Sequence, residues 1–135
     1  MDRSEIMVEF DSHGILPTSQ RLEIAEILFE KQQHLSADQI IDRLRAQGSA
    51  VSKATVYNTL NLFIENGLVQ ECIVDPERRV YDSNTQAHHH YYNLDTGELT
   101  DIPRDRIKIK ELPDLLGDRQ IEDVQVMIRV RSTTA

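Results

Sequence analysis

The chain has 135 residues, with 15 Lys and Arg against 23 Asp and Glu and a formal net charge of −8. That balance argues against indiscriminate nucleic-acid binding, because affinity for DNA comes largely from neutralising phosphates. There is no apolar run of membrane-spanning length and no charged-then-apolar leader, and the single cysteine, Cys72, excludes an internal disulfide and any zinc site built from several thiolates. A cytoplasmic protein is expected, with a helical front half and a strand-rich back half that predict two domains.

From Glu30 back to the start acids outnumber bases, so the N-terminal tail and the first helix are expected to be poor phosphate partners except around Arg21. Pro17-Thr18 opens a first helix with Leu22, Ala25, Ile27 and Leu28 on its apolar side. Ser36-Ala-Asp-Gln39 is a capping box that opens a second, carrying Ile40, Ile41 and Leu44 and closed by Gly48. Residues 52–68 predict a third, with Ser52 as its cap and Gly67 as its end. At 100° per residue, Val56, Leu60, Phe63 and Ile64 form one stripe. The other side carries Lys53, Ala54, Tyr57, Asn58 and Asn61, with no carboxylate until Glu65. A neutral hydrogen-bonding face held at a fixed angle suits a DNA groove, whereas the bland alternative is an ordinary amphipathic helix.

Residues 68–74 and 79–82 predict two strands joined by the turn Asp75-Pro-Glu-Arg78. Three helices followed by a hairpin is the winged helix-turn-helix order. It sends the third helix into the major groove and sets Arg78 and Arg79 where a wing meets phosphate.

His88-His89-His90 opens a second hairpin, with its turn at Asp95-Thr96-Gly97-Glu98. Strand alternation puts His88 and His90 on one face and His89 on the other, and antiparallel pairing sets Asp101 opposite His90. Imidazoles beside a carboxylate, with no thiolate, favour iron(II), manganese(II) or zinc. A run of solvated histidines is the plain alternative. Residues 124–130 alternate and predict a last sheet strand, with Val124, Val126, Ile128 and Val130 sharing a face. Residues 132–135 read as a loose tail.

These residues carry a resemblance. LPTSQRLEIAEIL, HLSADQI, VSKATVYNTLNLF, GLVQECIVD and VYDSNTQAHHHYYNLDTGELTDI cover most of residues 16–102 in order, and the chain resembles the ferric uptake regulator family, most closely its iron response regulator branch. The resemblance implies an α+β homodimer, with a winged-helix DNA-binding domain over residues 1–83 and a small α/β dimerisation and sensing domain over residues 84–135. Carried over position by position, it names His34, Asp82, His88, His90 and Asp101 as metal ligands. It makes Tyr57 a base contact against a thymine methyl. Asn58 and Asn61 would meet base edges or phosphate, and Lys53 and Arg21 the backbone.

The chain also departs from that family. Asn93 and Thr96 stand where members carry the first of two CxxC pairs, so no structural zinc is expected. His89 matches one ligand of a second metal site whose other ligands cannot be placed after residue 102. In the iron response regulator branch the triple histidine is associated with haem, which implies His88, His89 and His90 as haem ligands in a repressor of haem synthesis and iron homeostasis genes. A Cys-Pro haem motif is missing, since Ile73 follows Cys72. The alternatives are a relative sensing manganese, zinc or peroxide, and, from another class, a metalloenzyme. No nucleophile, acid–base pair or phosphate loop accompanies the cluster to support an enzyme.

Overall fold

The structure, a computed structural model, describes residues 1–114 and 117–134. It divides into two compact units, Met1–Thr85 and Gln86–Ala135. No helix among the described residues is long and apolar enough to cross a membrane.

The first unit contains helices α1 (Arg3–Ser12), α2 (Ser19–Leu28), α3 (Ala37–Ala46) and α4 (Lys53–Glu65), and strands β1 (His34–Leu35), β2 (Gln70–Asp75) and β3 (Arg78–Asp82). The expected N-terminal tail is therefore a helix, and four helices rather than three precede the wing. Asp2 accepts a hydrogen bond from the Glu5 amide while Glu5 reaches back to the Asp2 amide. That capping box starts α1. Two side chains one turn apart, Ile6 and Phe10, then anchor it, and the Phe10 ring lies 5.5 Å from that of Phe63.

The helix ends predicted from sequence carry their caps. Thr18, Ser36 and Ser52 accept hydrogen bonds from the amides of Arg21, Gln39 and Thr55. At the far end of α4 the Leu68 amide donates to the Phe63 carbonyl and the Gly67 amide to that of Ile64. This Schellman closure needs a left-handed residue, and Gly67 has φ 76°. Val56, Leu60 and Phe63 are fully buried as the stripe requires, Ile64 packs partly buried against them, and Thr59 joins them inside.

The wing sheet has the order β1-β3-β2, all antiparallel, with an irregularity between Ile73 and Asp75. Cys72 is buried on its core side.

The second unit is a three-stranded sheet of order β5-β4-β6, built from β4 (His88–Asn93), β5 (Leu99–Pro103) and β6 (Met127–Val130). Asn93 accepts hydrogen bonds from the amides of Asp95 and Thr96, and Gly97 has φ 75°, so the turn closes as an Asx turn followed by a left-handed residue. A single 3₁₀ turn, Arg104–Arg106, follows β5. The last strand is shorter than expected: it begins at Met127, pairs parallel to β4, and leaves Val124 and Val126 ahead of it. Ser132 of the expected loose tail donates its amide to Asp95, while Ala135 lies outside the described residues.

Phe10→Ala should cost about 3–5 kcal/mol of stability, the range for emptying a buried aromatic site. Denaturant unfolding checks it. A loss below about 1 kcal/mol would mean that α1 is not part of the core.

Candidate metal centre and nucleic-acid face

Two sets of ligand-type side chains are present, one in each unit. In the first unit the β1–β3 register pairs His34 with Asp82. The His34 Nε2 lies 3.0 Å from Asp82 Oδ2. Asp82 is buried, and its Oδ1 accepts a hydrogen bond from the Asn84 amide. A buried carboxylate is tolerated only with such partners. Leu35, next to His34, is held in the core opposite Tyr81, so the imidazole is anchored from behind.

In the second unit the β4–β5 register pairs His90 with Asp101, as strand alternation required. The Nε2 atoms of His88 and His90 lie 3.3 and 3.6 Å from the same oxygen, Asp101 Oδ1, and the two rings meet edge-on with centroids 4.5 Å apart. Ligands bonded to one ion at about 2.0–2.2 Å sit roughly 3–4 Å from one another, so this spacing fits a shared divalent ion. The tautomer fits as well. His88 Nδ1 faces the Gln86 carbonyl, which only accepts, so Nδ1 donates and the neutral ring presents its Nε2 lone pair toward Asp101.

His89 points the other way. Its Nδ1 accepts a 2.9 Å hydrogen bond from the Val126 amide, where the chain enters β6. The neutral ring then carries its proton on Nε2. His13, the remaining histidine, bonds the Glu9 carbonyl at the end of α1.

The outward face of α4 is as the helical period predicts: Lys53, Tyr57, Asn58 and Asn61 are exposed, Tyr57 by 41%. Tyr57 is therefore not a core residue. Arg21 donates to the Leu16 carbonyl at 2.8 Å and lines a groove of about 380 Å³ with Thr55 and Asn58. A second groove, of about 630 Å³, separates Tyr57 and the start of α3 from the wing. Under it the Tyr81 hydroxyl bonds Arg79, and burial raises its pKa above the ordinary value, an effect larger than the opposing pull of Arg79. Arg79 is also ion-paired with Glu71 at 2.9 Å. Tyr81, Glu71 and Asp38 were not singled out from the sequence. The pairing of Glu71 with Tyr81 across the Asp75–Arg78 turn was the signal available.

Comparison with known proteins gives the family. The ferric uptake regulator profile matches residues 12–131. The ferric uptake regulation protein of Vibrio cholerae serotype O1 is 34% identical over 100 residues, 73% of this chain and 67% of that protein. The ferric uptake regulator of Pseudomonas aeruginosa, solved with manganese, superposes with a TM-score of 0.70 at 26% identity, covering 93% of this chain and 96% of that one. That of Francisella tularensis, solved with iron, gives 0.72 at 23% identity over 89% and 93%. The chain belongs to the ferric uptake regulator family, whose members are metal-responsive transcriptional regulators and not enzymes.

Proposed function

We propose that the chain is a cytoplasmic, homodimeric, DNA-binding repressor, residues 1–83 forming the DNA-binding domain and residues 84–135 the dimerisation and sensing domain. Its sensor would be one divalent ion held jointly by His34, Asp82, His88, His90 and Asp101. The observation that carries this reading is the pair of half-sites: His34 against Asp82 in one unit, His88 and His90 against one oxygen of Asp101 in the other. Asp82 and His88 are six residues apart, at most about 20 Å of extended chain, so the linking segment permits both sets to serve one ion.

When bound, the ion would supply the positive charge that lets three imidazoles and two carboxylates share one small volume. The side chains do the rest. The strand registers set Asp82 beside His34 and Asp101 beside His90, and the Gln86 carbonyl fixes the His88 tautomer. Ligands drawn from both units restrict the angle between them, which in a dimer sets the spacing of the two α4 helices against successive turns of the major groove. Tyr57 would then pack on a thymine methyl, Asn58 and Asn61 would meet base edges or phosphate, and Lys53 and Arg21 would meet the backbone. The relatives solved with manganese and with iron support a metal of that class.

The narrower reading, the iron response regulator branch with control of haem synthesis genes, rests on the His88–His90 run. Its placement makes haem the second choice. All three imidazoles are buried, and His89 would have to give up its bond to Val126. Haem would therefore compete with the five-ligand set rather than add to it.

Binding of labelled promoter DNA tests the proposal. Manganese(II) or iron(II) should tighten binding roughly 10- to 100-fold, a typical allosteric coupling, and a His88→Ala, His90→Ala double variant should lose that gain. If haem is the effector, a stoichiometric amount weakens the wild-type complex. DNA affinity indifferent to every metal would overturn the reading. Tyr57→Ala should weaken specific binding about tenfold and shift the melting temperature by no more than a few degrees. A large drop in melting temperature would instead make Tyr57 a structural residue.

A further inference from the structure

We propose that Asp38 and Glu71 are built-in competitors for the cations of the DNA-facing surface, holding down its attraction for phosphate so that base contacts decide where the protein binds. The inference rests on the DNA-binding reading above and deepens it.

Two of the basic side chains on that surface are ion-paired within the protein. Lys53 Nζ, on the first turn of α4, lies 3.9 Å from Asp38 Oδ1 on α3. Arg79 Nε, on the wing, lies 2.9 Å from Glu71 Oε1. The groove between them is lined by Asp38, Asp75 and Glu77 as well as Arg78 and Arg79, three carboxylates against two guanidinium groups. Arg21 differs, since the partner it holds is a neutral carbonyl.

A phosphate approaching Lys53 or Arg79 must displace a carboxylate or accept it as a neighbour. Either way part of the attraction is lost. Because Lys53 and Asp38 are 67% and 77% exposed, solvent screens the pair and the penalty is small and salt-dependent. The Glu71 side chain is only 23% exposed, so its pairing with Arg79 is the firmer competitor. Both act on the sequence-independent part of binding and leave Tyr57, Asn58 and Asn61 untouched. In a chain of net charge −8, the surface that meets DNA is thus held close to neutral. Non-specific binding, which depends almost entirely on phosphate, is suppressed most.

The test uses full-length protein with manganese(II), operator DNA and a scrambled duplex, over a series of salt concentrations. Asp38→Asn should raise affinity for the scrambled duplex about two- to fivefold, and Asp38→Asn, Glu71→Gln together about tenfold. The slope of log affinity against log salt should steepen by about one for each cation released. In a Lys53→Ala background the gain from Asp38→Asn should fall below about twofold. Unchanged affinity and slope in Asp38→Asn, whose side chain is exposed enough for folding to tolerate the change, would overturn the proposal. So would weaker binding by a folded Glu71→Gln, which would mean that Glu71 positions Arg79 instead of opposing phosphate. If the wild type does not distinguish operator from scrambled DNA, the DNA-binding reading itself has failed, a separate result.

Discussion

β3 is hydrogen-bonded on both edges, to β1 and to β2, and this double pairing places three kinds of chemistry within four residues. Asp82 is set against His34, Tyr81 is driven into the core opposite Leu35, and Arg79 emerges beside Glu71. A strand with two partners cannot slip by one residue without turning every side chain to the wrong face. The ligand pair and the wing groove are therefore fixed relative to each other within the first unit. On the proposed function, the same strand serves the sensor at one end and the DNA face at the other.

The second unit solves a similar problem with less material. Its β4–β5 register brings two imidazoles to one carboxylate oxygen, and the Asx turn at Asn93 sets that register. The middle histidine of the run is used on the opposite face, where it receives the Val126 amide and ties the start of β6 to β4. Three adjacent residues of one type thus divide between two tasks because a strand alternates sides.

Much of this was legible in the sequence where a short period or a local turn decides the outcome. The burial of Val56, Leu60 and Phe63 and the exposure of Lys53, Tyr57, Asn58 and Asn61 follow from the helical repeat between a serine cap and a glycine stop. The meeting of His90 with Asp101 follows from counting back from a turn. What was not legible depends on distant partners or sparse signals. α1 contributes only Ile6 and Phe10 to the core, too few for a periodic pattern, though its Asp2–Glu5 capping box was there to read. β6 pairs in parallel with a strand more than thirty residues earlier, so its start at Met127 is set by that partner and not by its own alternation. The opposition of Ile73 to Arg79 and of Asp75 to Arg78 depends on an irregularity in β2 that no residue type announces.

The central claim is that one ion is held by ligands from both units. Calorimetric titration of the full chain with manganese(II), comparing the wild type with His34→Ala and with His90→Ala, tests it most directly. The account predicts one ion per chain at this site and a loss of affinity of roughly 100-fold from either substitution, since removing a ligand from a shared set weakens the whole. Wild-type affinity in the His34→Ala variant would contradict it, because the ion would then rest on the second unit alone and could not couple the two.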